Sequence, residues 1–285
     1  MLYIGCPMWG YKAWVGSFFP GRTPASEFLR LYSNRLNSVE GNTTFYALPT
    51  EETITRWRQE TPANFRFCPK VSRTISHAAH LSENKNETRI FIERMKGLGT
   101  RLGPIFLQLP PSFSPEHISQ LQTFLAAWPT DVQLAVEIRH PAFFKETHTQ
   151  ALNSLLSQHS AARILMDTRP LQTGSSQEQK ELQARERKPH LPLQITTTSD
   201  IAFVRYIGHP RMEVNEPFLA SWAEQLGQWL KQGQTCYVFC HCPYEEHSPA
   251  ICAELYQRIK KFVPLPELSW QPEKMDTKPE QARLF

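Results

Sequence analysis

The stretch Val39-Glu40-Gly41-Asn42-Thr43-Thr44-Phe45-Tyr46 joins a short apolar run to a polar loop that closes on two aromatic residues. Residues 36–39 predict a strand, and Glu40 stands where that strand leaves its sheet. Proteins that alternate strands with helices place their chemistry at the carboxyl ends of parallel strands. Glu40 and Asn42 are therefore candidates for a functional site, and the alternative is that they only tie down their own loop.

Apolar runs like this one recur along the chain and alternate with patterns that predict helices. The eight runs cover residues 2–5, 36–39, 65–70, 105–109, 134–138, 163–167, 202–208 and 236–240. In a chain of 285 residues this count predicts an α/β fold, a closed TIM-type (β/α)8 barrel. An open doubly wound sheet is the alternative, and it is disfavoured because Gly5-Cys6-Pro7 interrupts the glycine-rich loop that dinucleotide-binding sheets need.

The predicted organisation is a single barrel domain over residues 1–263, followed by an extended tail over 264–285 that is rich in proline and charge. A polar insertion over 171–199 follows the sixth strand, and its position predicts a lid over the barrel mouth. Its basic residues are more typical of a solvated helix face than of a ligand clamp; they are Lys180, Arg185, Arg187 and Lys188.

Composition sets limits on the class of protein. Hydrophobic residues make up 40% of the chain, which is enough for a sizeable core, and no run approaches the ~20 apolar residues of a membrane span. The chain starts directly in a predicted strand without a basic segment, so we expect no signal peptide and a cytoplasmic location. The six scattered cysteines are expected to be reduced thiols. The net charge of +4 permits an anionic partner without requiring one.

Polar side chains follow nearly every predicted strand, and in a barrel they would meet at one face. They are Glu40, Asn42, Lys70, His77, Gln108, Glu137, Arg139, His140, Asp167, Arg169, Arg205 and His241. Such a cleft, of mixed sign with a positive surplus, suits phosphate, carboxylate or a nucleic-acid backbone. The alternative is a ring of ion pairs that closes the barrel top, for example Glu137 with Arg205.

We predict specific roles for these residues. Glu40, Glu137 and Asp167 would be catalytic acid/base or metal groups. Cations at the strand ends would hold phosphate, namely Lys70, Arg139, Arg169 and Arg205. Asn42, His77, Gln108 and His140 complete the predicted substrate contacts. Trp9 and Tyr46 would stack on a base or sugar ring, although the early aromatic residues could equally plug the barrel mouth.

Two metal sites and a glycosidase pair are further interpretations of these residues. A divalent metal for phosphodiester hydrolysis is the one possible cofactor, but no HExxH motif or similar spacing supports it. Cys236, Cys240 and Cys242 alternate along one strand face, so we expect core packing rather than a zinc site. Glu40 and Glu137 could form a glycosidase pair, but sequence spacing cannot give their separation.

Several of these motifs together resemble the YecE-like family, catalogued as domain of unknown function 72. They are Ile4-Gly5 with the following tryptophans, the opening stretch, Phe65-Arg66-Phe67-Cys68-Pro69-Lys70, Leu107-Gln108-Leu109-Pro110 and Val136-Glu137-Ile138-Arg139-His140-Pro141. The resemblance spans essentially the whole chain and implies a TIM-type barrel with a polar pocket at the strand ends. It implies no established activity. The chain departs from the family's commoner pattern at Gly41 and His241, where asparagine is usual. The barrel is also distantly similar to metal-dependent endonucleases that act on abasic DNA, whose ligands cannot be matched residue by residue here.

The end of the tail carries a second resemblance. Gln281-x-x-Leu284-Phe285 is similar to the short peptide by which bacterial replication and repair proteins bind the DNA sliding clamp. The alternative is that Leu284 and Phe285 fold back onto the barrel.

The sequence therefore predicts a barrel that binds or hydrolyses a phosphate-bearing substrate, either a nucleotide or DNA, as a phosphodiester or phosphate-ester hydrolase docked to a sliding clamp. The competing prediction is a non-catalytic barrel that binds a small anionic metabolite.

Overall fold

The fold is a TIM-type barrel of eight parallel strands with helices between them, as the sequence predicts. A computed structural model describes residues 1–174, 178–188 and 190–270. The strands are β1 (Leu2–Cys6), β2 (Ser38–Gly41), β3 (Arg66–Pro69), β4 (Ile105–Gln108), β5 (Leu134–Glu137), β6 (Ala162–Asp167), β7 (Ile201–Ile207) and β8 (Thr235–His241). Each one overlaps a predicted run, because an apolar run between turn residues is a strong strand signal.

Helices connect successive strands and cover the outside of the barrel. They are α1 (Phe28–Ser33), α2 (Glu51–Glu60), α3 (Arg73–Ser76), α4 (Lys85–Lys96), α5 (Ile118–Ala126), α6 (Glu146–Gln158), α7 (Arg169–Gln172), α8 (Gln179–Arg187), α9 (Met212–Lys231) and α10 (Ser248–Ile259). Helix α9 begins at Met212 and contains Pro217, although the sequence Asn215-Glu216-Pro217 by itself is typical of a later helix start. Asn215 explains the difference: its Nδ2 donates to the carbonyls of His209 and Arg211, so it braces the preceding turn from inside the helix.

The strands form one sheet in the order β3-β2-β1-β8-β7-β6-β5-β4. Its edge strands β3 and β4 meet through isolated bridges rather than a continuous ladder: Phe67 with Leu102, and Lys70 with Phe106. Val71 N donates to Phe106 O at 2.9 Å, and Gly103 N donates to Phe67 O at 2.7 Å. We call this junction the seam; it makes the barrel nearly closed.

Side chains alternate between the barrel interior and the helix layer along each strand. The interior is filled by a separate apolar cluster made of Tyr3, Cys68, Phe106, Ala135, Ala162, Ile164, Ile201, Phe203, Tyr237 and Phe239. Strand residues of the opposite phase, such as Leu165 and Val204, join the larger core beneath the helices. This phase decides which polar residues at the strand ends point into the mouth.

Gly5 sits at a point of very close approach between β1 and β2. A Cβ atom at this position would lie 1.9 Å from the carbonyl oxygen of Ser38. The Tyr32 hydroxyl fills the adjoining space, donating to Ser38 O at 2.9 Å and accepting from Cys6 N at 2.7 Å. Glycine is therefore required here by packing.

All six cysteines are buried free thiols, and Cys236, Cys240 and Cys242 lie in the core as predicted. The first part of the tail packs on the barrel, where Trp270 meets Phe18 edge-on with ring centres 4.7 Å apart. The clamp-like residues Gln281, Leu284 and Phe285 lie outside the described residues. Within the described part of the chain, no helix is long and apolar enough to cross a membrane.

Candidate functional site

A layer of polar side chains caps the interior cluster at the carboxyl ends of the strands. Most of its members stand two residues after a residue of the interior cluster, so their side chains point into the barrel; these members are Lys70, Gln108, Glu137, Arg205 and His241. We call this set the mouth layer; it consists of Glu40, Lys70, Gln108, Glu137, Arg205 and His241, all of them buried. Five of these six residues belong to the substrate contacts and catalytic groups predicted from sequence.

Arg205 of β7 lies at the centre of the layer and binds two carboxylates from other strands. Its Nε donates to Glu40 Oε2 at 2.8 Å and its Nη2 to Glu40 Oε1 at 2.7 Å, a two-pronged ion pair. Its Nη1 donates to Glu137 Oε2. Arg205, Glu40 and Glu137 are 2%, 0% and 1% exposed, so these pairs have almost no contact with solvent.

Arg205 keeps both carboxylates ionised. Burial alone would raise the pKa of Glu137, but Arg205, Arg139 and Lys70 lower it to about 2. Burial acts in the same way on Glu40, where Arg205 holds the pKa well below the usual range. Burial would lower the pKa of Arg205, yet the two glutamates raise it above its ordinary value. The Glu–Arg–Glu unit therefore carries a fixed net charge of −1 near neutral pH.

Neighbouring groups take up the remaining carboxylate lone pairs. Asn42 Nδ2 donates to Glu40 Oε1 at 2.7 Å, and Arg139 Nε donates to Glu137 Oε1 at 2.6 Å. His241 Nε2 lies 3.0 Å from Glu40 Oε2. Burial lowers the pKa of His241 to about 4, with Glu40 opposing and Arg205 reinforcing the shift, so the ring is neutral and its Nε2–H donates to Glu40.

Lys70 is a buried amine without a carboxylate partner among the described residues. Its Nζ donates to Gln108 Oε1 at 2.8 Å and lies 4.2 Å from the centre of the Phe45 ring. Burial, reinforced by Arg205, lowers the pKa of Lys70 to about 8 against the weaker pull of Glu137 and Glu40. At neutral pH it is therefore a cation held in a poorly hydrated place.

A second amine approaches the mouth from the polar insertion. Lys188 directly follows α8, and burial with Arg205 and Arg139 lowers its pKa to about 8. It lines a cavity of about 270 Å³ between α8 and the ends of β7 and β8, together with His241 and Glu245. Burial raises the pKa of Glu245 to about 7, although Ser248 and Lys188 oppose the shift. Lys188, which is half-buried, therefore lines the same cavity as His241 and lies among the charges of the mouth layer.

Asp167 and Arg169 do not join the mouth layer. Asp167 has the outward phase of β6, because Ala162 and Ile164 fill the interior. Its Oδ2 accepts from Trp222 Nε1 of α9 at 2.8 Å, and both of its oxygens accept from the Arg169 side chain. This pair ties the strand end to the helix layer.

Two other predicted contacts also lie away from the mouth. Trp9 packs edge-on against Trp57 of α2, with ring centres 5.0 Å apart, and lines a pocket on the outer side of the barrel. His140 Nδ1 accepts from Ala142 N at 3.2 Å and so caps its own turn.

His77 and Tyr46 face a groove beside the mouth. We call it the rim groove; it has a volume of about 1040 Å³ and lies among the loops after β2, β3 and β4 and the helix α4. His77 packs against the Phe45 ring at 5.3 Å, and Tyr46 does so at 5.1 Å. Phe45 thus separates the groove from the Lys70 amine.

The described residues contain no group of three or more His, Cys, Asp or Glu side chains placed to hold a metal ion. The oxygens of Glu40 and Glu137 accept hydrogen bonds from arginine, asparagine and histidine, which leaves them poorly placed as metal ligands.

The sequence analysis lists His241 among the polar residues at the strand ends but assigns it no role, and it does not place Lys188 or Glu245 in the cleft. His241 carried a usable signal, since Tyr237, Phe239 and His241 share one strand phase. Lys188 carried none, because the preceding helix α8 is mostly polar and has no apolar periodicity to show which charge turns inward. Glu245 lies beyond the strand end, in a turn whose direction only the fold determines.

Comparisons with known proteins agree with this architecture. The family model described as "Protein of unknown function DUF72" matches residues 3–274. The chain is 36% identical to the UPF0759 protein YecE of Escherichia coli K12 over 286 aligned residues, covering all of both chains. It is 26% identical to the UPF0759 protein YunF of Bacillus subtilis over 160 residues, which is 52% of this chain and 55% of that one.

Solved structures show the same fold. A DUF72 family protein from Enterococcus faecalis superposes with a TM-score of 0.70 at 17% identity, covering 97% of this chain and 100% of that one. A DUF72 family protein from Thermotoga maritima superposes with a TM-score of 0.68 at 22% identity, covering 92% and 98%.

Proposed function

The chain belongs to the DUF72 family, and on that premise we propose that its barrel mouth binds a small phosphate-bearing molecule. The observation that carries the proposal is the amine of Lys70, which is buried, lacks a carboxylate partner among the described residues and faces the same cluster as Arg139 and Lys188. A buried cation of this kind is stabilised when an anion binds beside it.

The charge balance of the mouth supports an anionic ligand. At neutral pH the cations Lys70, Arg139, Lys188 and Arg205 face two ionised carboxylates, Glu40 and Glu137. His241 is neutral, and Glu245 with a pKa of about 7 contributes only half a charge. The cation excess is therefore more than one unit, and a phosphate monoester with its charge of about −1.5 to −2 matches it.

Binding is better supported than hydrolysis. Glu40 and Glu137 have pKa values lowered by Arg205, whereas a general acid or base works best with a pKa near the working pH. Their positions instead suit counter-ions that fix Arg205 and Arg139. The competing prediction from sequence, a barrel that binds a small anionic metabolite without acting on it, fits this arrangement.

Titration calorimetry with inorganic phosphate tests the proposal. We expect the full chain to bind phosphate, and Lys70→Met to weaken binding by at least about tenfold, because a charge-assisted hydrogen bond contributes roughly 1.5–3 kcal/mol. Lys145→Met, which removes an exposed lysine outside the mouth, serves as the matched control and should bind normally. Citrate in a parallel titration separates phosphate binding from carboxylate binding.

Absence of phosphate binding by the unmodified chain would refute the proposal. Equal loss in Lys70→Met and Lys145→Met would show that binding reflects net charge and not the mouth.

Docking to a DNA sliding clamp through Gln281, Leu284 and Phe285 stays a separate prediction. Calorimetry of the full chain against a bacterial clamp, with Leu284→Ala/Phe285→Ala as the control variant, tests it. No binding by the full chain would end that hypothesis.

A further inference from the structure

We propose that the rim groove holds the nucleoside part of a nucleotide whose phosphate occupies the mouth. This rests on the proposed function, and it adds the chemical class of the ligand and a surface that binds it. The new residues are Arg73, Leu48 and Ile90, which with Tyr46 and His77 line the groove.

The groove begins one aromatic ring away from the phosphate-binding amine. Lys70 Nζ lies 4.2 Å from the centre of the Phe45 ring, and the centres of the Phe45 and Tyr46 rings are 5.1 Å apart. In a nucleotide, one ribose separates the phosphate from the base. A phosphate at Lys70 would therefore place its base over the groove.

Tyr46 is the exposed aromatic platform that a base needs. The residue is 81% exposed, whereas most aromatic residues in the described part of the chain are buried. Leu48 and Ile90, which are 38% and 40% exposed, extend the apolar surface around it. Bases stack on aromatic rings in this manner largely without regard to sequence, because every base has a π-face.

Polar groups in the groove match the rest of a nucleoside. Ser76 Oγ lies 2.9 Å from His77 Nδ1. This contact fixes the orientation of the imidazole ring, with Nε2 pointing away from Ser76. Burial lowers the pKa of His77, with further lowering by Lys70 and Arg73, which favours the neutral ring. A neutral imidazole can both donate to and accept from hydroxyls or a base edge. Arg73 supplies donors and Glu87 an acceptor along the same wall.

Calorimetry with four probes tests the assignment: inorganic phosphate, ribose 5-phosphate, adenosine 5′-monophosphate and adenosine. We expect the monophosphate to bind about tenfold or more tightly than inorganic phosphate, since stacking on one aromatic ring contributes roughly 1–3 kcal/mol. Ribose 5-phosphate should fall close to inorganic phosphate.

Tyr46→Ala should abolish the difference between the monophosphate and inorganic phosphate while leaving phosphate affinity unchanged. Tyr46→Phe should keep the difference, because the ring and not the hydroxyl carries it. Both variants change an exposed side chain, so both should fold. A short oligodeoxythymidylate added to the series distinguishes a free nucleotide from the end of a single DNA strand as the ligand. Tighter binding than the monophosphate indicates the end of a single strand, and equal or weaker binding indicates a free nucleotide.

Equal affinity for the monophosphate and inorganic phosphate in the unmodified chain would overturn the inference, as would a full gain retained by Tyr46→Ala. The two proposals fail separately. If inorganic phosphate does not bind but adenosine binds and requires Tyr46, the mouth proposal fails and the rim groove stands.

Discussion

Replacing Lys70 by methionine should stabilise the protein and at the same time weaken the proposed binding of phosphate. The folded environment lowers the pKa of Lys70 from 10.5 to about 8. Each pKa unit corresponds to ~1.4 kcal/mol, so the charged amine destabilises the native state by about 3 kcal/mol at pH 7. The residue is 8% exposed, which leaves little solvent to screen this effect.

Part of that gain is offset by the partner left behind. Without the amine, Gln108 Oε1 loses its 2.8 Å hydrogen bond in a buried place. An unsatisfied buried acceptor costs about 1–3 kcal/mol, so the net gain should be about 1 kcal/mol, or roughly 2 °C in Tm for a domain of this size. The double variant Lys70→Met/Gln108→Leu removes both polar groups and should recover most of the ~3 kcal/mol.

Urea unfolding followed by tryptophan fluorescence measures these differences, with Lys145→Met as the control expected to change stability by less than ~0.5 kcal/mol.

The pH dependence of stability gives an independent check. Below pH 8 the amine is charged in both states, and its full penalty on the native state is present. Between pH 8 and 10.5 the native state releases its proton while the unfolded chain keeps it, so wild-type stability rises and the advantage of Lys70→Met disappears.

A loss of several kcal/mol in the double variant at pH 7 would refute this reasoning. It would mean that Lys70 and Gln108 hold the seam of the barrel and that the amine is structural, as in the alternative of a barrel-closing polar ring.

Three further predictions concern the ion pairs around the mouth. Arg205→Met leaves Glu40 and Glu137 buried without their counter-ion and should destabilise the fold by about 3–5 kcal/mol in urea unfolding. The triple variant that also changes both glutamates to glutamine should recover a large part of this lost stability. A single variant as stable as the wild type would contradict the prediction. Glu137 stabilises the fold fully above pH 4.5 and loses this contribution as the pH falls toward its folded pKa of about 2. Glu137→Gln should therefore reduce the slope of Tm against pH in the acid range. An unchanged slope would argue against the ion pair between Glu137 and Arg205. Asp167→Asn should lower stability by weakening the bonds to Arg169 and Trp222 but leave phosphate affinity unchanged in calorimetry, and a loss of affinity would return Asp167 to the site.

Strand order and the barrel itself follow from the sequence because apolar runs and turn residues are local signals. The strand phase is harder to predict, since both faces of a barrel strand are buried and the runs do not alternate. Asp167 shows the consequence, because its position at a strand end predicted a site that its phase does not allow. A signal was present: Arg163 shares the phase of Asp167, and a guanidinium fits between helices, where it binds Asn153 and Gln194, better than in an apolar barrel interior.

Most contacts of the mouth layer cannot be predicted from local sequence patterns. Arg205 and Glu40 are 165 positions apart, so only closure of the barrel brings them together. The structure shows the ring of ion pairs that the sequence left as an alternative, formed by Glu40, Glu137 and Arg205. This ring does not exclude a ligand site, because Lys70 and Lys188 stand beside it without carboxylate partners among the described residues.

The seam between β3 and β4 also affects how the barrel moves. Every other neighbouring pair of strands is joined by a ladder of hydrogen bonds, whereas β3 and β4 are joined only by isolated bridges. Lys70 and Gln108 stand on opposite sides of this junction. Local opening starts where the fewest backbone bonds must break, so the amides of Val71 and Gly103 should exchange with deuterium sooner than those inside β7 and β8. A phosphate held by Lys70 would bridge the same junction and slow that exchange. Binding at the mouth would then be coupled to local opening of the barrel wall.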